Sequence, residues 1–225
     1  MILLNPKSYD PKHLDADSAE LMRKTIAFFE GKGKARLKKD DRERVWYEDF
    51  LGHVAREKIF AKLLTPAPYG GGDPAYRWDT ARNCDFSEIT AFYALHYWCT
   101  WQVTILGLGP IWMGTNEGAK ARTAEALKAG GIFAFGLSER AHGADLYSTE
   151  MTLAPKGDGT WIARGSKYYI GNANEAATVS TFGKTTDTGE FVFFSANPRG
   201  PGYELVQNVV NVQSYVAEYR LHDHP

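Results

Sequence analysis

Cysteine is nearly absent: Cys84 and Cys99 are the only two in 225 residues. They fall on one predicted helical stretch at a spacing unsuited to a bridge within a helix, so both are read as thiols of a reducing compartment. No Asn-x-Ser/Thr sequon is present, and no apolar run reaches the length of a membrane span. The N-terminal Met1-Ile2-Leu3-Leu4-Asn5-Pro6 is too short for the apolar core of a signal peptide. The expectation is a cytoplasmic protein without a membrane partner. An excess of charge is missing too, since 26 Lys and Arg stand against 27 Asp and Glu for a net charge of -1. That balance argues against a nucleic-acid binder or a membrane-surface protein held by a basic field, and a small-molecule ligand is the better default. Two phosphate-binding signatures fail as well. Pro68-Tyr69-Gly70-Gly71-Gly72-Asp73-Pro74 is not followed by Gly-Lys-Ser/Thr and reads as a flexible connector, and Gly107-Leu108-Gly109 does not follow a strand.

What is present is apolar enough for two cores, with 44% hydrophobic and 24% charged residues. Asp17 and Glu20 have the spacing of a capping box before Leu21, Thr25, Phe28 and Phe29, with Gly31 as the stop. Residues 31–44 carry a mixed charge run without interleaved aromatics, which reads as a solvated linker and helix start. Tyr47, Phe50, Leu51, Val54, Ile59 and Leu63 recur at helical spacing, predicting a second, longer helix that ends at Thr65-Pro66. Asp79 to Leu106 is apolar on most sides, as in a helix buried within a bundle, and Gly107-Leu108-Gly109-Pro110 breaks the run. His96 in that stretch reads as a hydrogen-bonded core histidine. Thr115 is placed to cap a helix from Asn116 to Lys128 that stops at Gly130-Gly131.

After Gly131 the pattern changes to short strands at Ile132–Leu137, Met151–Leu153, Trp161–Ala163, Thr178–Phe182, Phe191–Phe194, Tyr203–Val206 and Tyr215–Leu221. The fold class is therefore α+β and multi-domain: an N-terminal all-α helical domain over residues 1–131, then a small antiparallel β-barrel or sandwich domain over 132–225. His222-x-His224 lacks the further ligands that a metal site needs.

Phe135-Gly136-Leu137-Ser138-Glu139-Arg140-Ala141-His142-Gly143-Ala144-Asp145 turns from a strand-like run into a polar turn with small residues. Such a turn can offer backbone N–H groups to a ligand, with Gly143 free to take positive φ and Ala141 and Ala144 letting a flat ligand lie close to the backbone. The same eleven residues also read as an ordinary strand-to-strand loop capped by Ser138 and Asp145.

Three segments of the chain resemble the acyl-CoA dehydrogenase family. Phe135 to Asp145 is similar to that family's aromatic-x-x-Thr/Ser-Glu-Pro-x-x-Gly-Ser-Asp motif. Gly165-Ser166-Lys167-Tyr168-Tyr169-Ile170-Gly171-Asn172 is similar to its Gly-x-Lys-x-Trp-Ile-Thr-Asn, and Tyr219 to Asp223 looks like the strand that closes its middle domain. The resemblance implies the N-terminal helical and middle β domains of such an enzyme. The C-terminal four-helix domain, which carries the family's catalytic glutamate, has no counterpart, so the chain is expected to be a fragment and inactive alone.

By the same resemblance FAD is the cofactor and an acyl-CoA thioester the substrate, with fatty acid metabolism as the setting. An electron-transfer flavoprotein or oxygen is the implied acceptor, and the full-length enzyme a homo-oligomer. Phe135, Leu137 and Ser138 are implied to line the flavin's pyrimidine edge, Tyr169 to take the place of the tryptophan beside the ring, and Gly171 that of the threonine near flavin N5. Arg140, His142, Gly143 and Ala144 are implied on the substrate side. Arg140 has two readings, a phosphate partner of CoA or FAD and a surface arginine paired with Glu139 or Asp145. Arg140, His142, Ala144 and Gly171 depart from the pattern, and some departures look more like the acyl-CoA oxidase branch. A non-catalytic scaffold or binding module of the same fold stands as a further alternative.

Overall fold

The computed structural model describes residues 4–225, so the reading of the N-terminus at Met1, Ile2 and Leu3 lies outside the described residues. Six α-helices precede and lead into seven strands. The chain divides into two compact units. One runs through Gln102 and takes in Asn116–Gly131; the other comprises Val103–Thr115 with Ile132–Pro225.

In the helical unit, α1 (Ala16–Glu43) starts two residues earlier than the capping box suggested. Asp15 is the N-cap, and its Oδ1 accepts the Ser18 N–H at 3.1 Å. The helix does not stop at Gly31, and its dihedrals break at Gly33 instead (φ 75, ψ 153). The charge run beyond is helical rather than a linker, because buried Asp40 pairs with Arg36 one turn earlier at 2.6 Å and with Lys32 at 2.9 Å. The predicted second helix is two, α2 (Glu48–Arg56) and α3 (Ile59–Leu64), separated by Lys58 in the left-handed region. Hydrophobic spacing continues across that break, which is why periodicity missed it.

The apolar run likewise divides into α4 (Thr80–Tyr93) and α5 (Leu95–Met113), parted by extended backbone at Ala94. Cys84 and Cys99 lie on these two helices and form no disulfide. His96 pairs with Asp41 at 2.9 Å. α6 (Glu117–Lys128) is capped by Asn116, one residue past the predicted Thr115, through Oδ1 and the Ala119 N–H at 2.9 Å. Phe29, Phe50, Phe60, Phe86, Tyr97 and Trp101 form an almost fully buried aromatic core, each Phe contributing about 1.5–3 kcal/mol by leaving water. Buried Arg82 donates to the carbonyls of Lys62, Ala75 and Arg77, anchoring the chain that leaves the glycine-rich loop.

The second unit is a mixed sheet of β1 (Phe133–Gly136), β2 (Thr152–Pro155), β3 (Trp161–Gly171), β4 (Thr178–Thr185), β5 (Phe191–Ala196), β6 (Tyr203–Asn208) and β7 (Val216–His224). The order is β1-β4-β2-β3-β7-β6, with β5 on the other edge of β4. Every predicted strand is present. β1 and β2 both run parallel to β4, so the sheet is not wholly antiparallel. Its core is rich in alanine, with Met151, Ile170, Tyr219 and Leu221 supplying bulk.

The C-terminal half of α5 belongs to this unit. It runs through Gly107-Leu108-Gly109-Pro110 without ending, because Gly107 lies so close to β1 that a Cβ there would sit 2.6 Å from the Ala134 carbonyl oxygen. Ser180 on β4 donates to the Gly107 carbonyl at 2.5 Å. Each His222-x-His224 imidazole has its own partners: His222 meets Glu204 at 2.7 Å, and His224 meets the Pro201 carbonyl at 2.8 Å. No helix of the described residues is long and apolar enough to cross a membrane.

Candidate functional site

The two motif segments lie side by side at the end of β1. The Tyr168 N–H donates to the Ser138 carbonyl at 3.0 Å, and the Ser138 hydroxyl returns a bond to the Tyr168 carbonyl at 2.8 Å. This reciprocal pair fixes the β1 exit against β3. It also commits both the hydroxyl and the carbonyl, so the main-chain N–H is the polar group of Ser138 that lies outside this pair.

Beneath this pair lies an ion pair that neither motif reading assigned a role. Lys167 is fully buried, and its Nζ reaches Glu139 Oε1 at 2.8 Å and the Leu137 carbonyl at 2.9 Å. The Glu139 carboxylate also accepts the Glu150 N–H at 2.8 Å and the Thr149 hydroxyl. Burial works against its charge. The Lys167 ammonium, the Thr149 hydroxyl and the Glu150 N–H outweigh burial and hold Glu139 below the usual carboxylate range. The sequence carried part of the signal, since Ala163 and Lys167 are at the even spacing that places both on one face of a strand, and that face of β3 is buried. A lysine at an inward strand position needs a buried carboxylate.

Past Lys167, β3 bulges. Lys167 opposes Tyr219 and Ile170 opposes Ala217, so three steps on β3 match two on β7. Tyr169 takes up the extra residue with φ 70 and is 60% exposed. A tyrosine in left-handed backbone costs on the order of 1–3 kcal/mol, and such strain clusters at functional positions. Two residues on, a Cβ added at Gly171 would lie 2.9 Å from Val103 Cγ2 of α5. A side chain at position 171 would therefore compete with Val103 for the same space.

Phe135 is half-buried and stacked on Phe193 of β5 at 5.3 Å, and Leu137 is half-buried. Arg140 pairs with neither Glu139 nor Asp145. Its guanidinium meets Glu218 of β7 at 2.6 Å and lies 4.4 Å from the centre of the Tyr168 ring. Glu218 is held below its usual range, first by the Gln207 amide and then by Arg140. His142 Nδ1 meets Asp145 Oδ2 at 2.8 Å, and this bond raises the imidazole pKa above its ordinary value. Gly143 does not use positive φ. Its Cβ position is open, and Gly143 and Ala144 are exposed on the loop.

The chain matches no family model and no curated protein sequence. Solved structures do match it. Butyryl-CoA dehydrogenase from Megasphaera elsdenii superposes with a TM-score of 0.81 at 22% identity, covering 94% of this chain and 57% of that one. A glutaryl-CoA dehydrogenase from Mycobacterium smegmatis, solved in complex with FADH2, gives 0.74 at 20% identity over 95% and 54%. A prolyl acyl carrier protein oxidase gives 0.77 at 20% identity over 94% and 57%. This chain has the acyl-CoA dehydrogenase fold. It spans a little over half the length of these neighbours.

Proposed function

We propose that the β unit provides one wall of a flavin site in an FAD-dependent enzyme of the acyl-CoA dehydrogenase type, acting on an acyl-CoA thioester. The observation that carries this reading is the bulge at Tyr168–Tyr169. A strained, exposed tyrosine stands two residues from a glycine whose side-chain space Val103 already occupies, next to the main chain of Ser138. These residues suit a flat, ring-shaped group with hydrogen-bonding edges. Tyr169 would pack beside the ring, and the N–H groups of Leu137 and Ser138 would serve as donors to negative charge gathering at the flavin's pyrimidine edge, each worth about 3 kcal/mol in a dry site. Bound FAD would supply the acceptor for the β hydrogen of the acyl group, as hydride.

No carboxylate in this cluster is left over to serve as the base for the α proton. Glu139 is committed to Lys167, Glu218 to Arg140, and Asp145 and Glu150 both to His142, at 2.8 and 3.8 Å. The base must come from residues outside this wall, and we infer that the chain by itself does not turn over. Arg140 keeps the stacked, exposed placement of a phosphate ligand, but binding an anion there requires it to leave Glu218. The missing hydroxyl at Gly171, together with an oxidase among the structural neighbours, supports oxygen as the acceptor in a second reading, beside an electron-transferring flavoprotein.

Titration of FAD into the chain, followed by flavin fluorescence, tests the reading. Saturable quenching that weakens in Tyr169→Ala is expected, without anaerobic bleaching by butyryl-CoA. Absence of any FAD uptake moves the scaffold reading ahead, and ferrocenium reduction by the chain alone overturns the assignment of the base to residues elsewhere.

A further inference from the structure

We propose that the helical unit binds a small amphipathic monocarboxylate in a cavity at the break of α1. The change of direction at Gly33 leaves a cavity of about 420 Å³ beside the helix, within the roughly 300–1,000 Å³ of small-molecule sites. Its lining includes Phe29, Leu37, Phe92 and Tyr93, with Lys7 and Lys34 as its cations and Glu30 as its acid.

The apolar side is built for a flat or unbranched body. Tyr93 stacks on Phe29 at 4.6 Å, and Phe92 stands edge-on to Tyr93 while remaining 40% exposed. An aromatic ring left that open beside a cavity loses water when the cavity fills. The polar side favours one negative charge. Glu30 already accepts the Tyr93 hydroxyl at 2.7 Å. Among the described residues Lys7 and Lys34 have no acidic partner, in contrast to Lys32, which pairs with Asp40 and Asp49. Two ammonium groups and one carboxylate leave a single positive charge at the lining, which matches a monoanion and disfavours a multiply charged phosphate. A compact ammonium on a flexible stem also suits a carboxylate head approached from either side, whereas bidentate phosphate sites favour arginine.

Isothermal titration of octanoate into the whole chain at neutral pH and low salt tests the proposal. Saturable one-to-one binding is expected. Lys7→Glu and Lys34→Glu should each weaken it about tenfold, the equivalent of about 1.4 kcal/mol. Lys38→Glu, on the same helix but outside the lining, should leave binding unchanged. Octanamide, with the same tail and no charge, should bind about tenfold more weakly than octanoate. All three lysines are exposed, so circular dichroism is expected to show unchanged helix content in the variants. No saturable heat, octanoate affinity unaltered by both lining substitutions, or equal binding of octanamide would each overturn the proposal.

Discussion

The Glu139–Lys167 pair ties the two motif segments together at the level of single side chains. Removing one partner leaves the other charged and buried, so Lys167→Ala should cost about 3–5 kcal/mol in urea unfolding. A loss below about 1 kcal/mol would mean that water reaches the carboxylate. The pH dependence follows from the same geometry. Glu139 is held below its unfolded value, so its contribution is present above the ordinary carboxylate pKa of about 4.5 and is lost as pH falls through the lower folded value. Glu139→Gln should flatten the acid limb of the stability curve. His142 has the opposite sign. Asp145 raises its pKa, so its contribution is complete below about 6.5 and fades as pH rises through the folded value. An NMR titration should place the His142 midpoint above that of a free imidazole, and Asp145→Asn should bring it down.

At the scale of elements, β3 and α5 decide the face of the candidate site. Gly171→Thr forces a side chain into Val103, and overpacking of this kind costs about 1–3 kcal/mol. Val103→Ala should recover most of that loss in the double variant, and additive losses by thermal unfolding would separate the two positions. The bulge allows fold and function to be pulled apart. Tyr169→Gly relieves left-handed strain at a residue whose ring is mostly in water, so stability should hold or rise while FAD affinity falls. A clear drop in melting temperature would show that the tyrosine ring contributes to packing instead.

For the whole molecule, the compact unit around the sheet reaches back to Val103. Thr104 Oγ1 accepts the Asn172 amide at 3.3 Å, Gly107 packs on β1, and Ser180 bonds to its carbonyl. A fragment of residues 132–225 loses all three. It should show poorly dispersed amide resonances and little near-ultraviolet circular dichroism, unlike the whole chain. A well-dispersed spectrum from that fragment would show that the sheet closes its core without α5.

Composition, strand spacing and turn residues were enough to predict a helical half followed by a β half, all seven strands and the two segments that meet at the site. These features are local: alternation over a few residues and punctuation by Gly, Pro and Asp report directly on backbone preference. The break at Gly33 was read two residues early, at Gly31, and those at Lys58 and Ala94 were not legible, because apolar periodicity runs across both and tertiary packing chooses where the chain turns. The same holds for α5 passing through Gly107 to Pro110, where close approach to β1 accounts for a glycine that looks like a stop. The candidate site divides along the same line. Sequence by itself singled out the two segments that lie side by side. Only the tertiary structure decided that Arg140 meets Glu218, that Lys167 lies buried against Glu139 and that Val103 fills the space of a side chain at Gly171. Each of these depends on residues far apart in the chain becoming neighbours, and burial then sets the strength of their interactions.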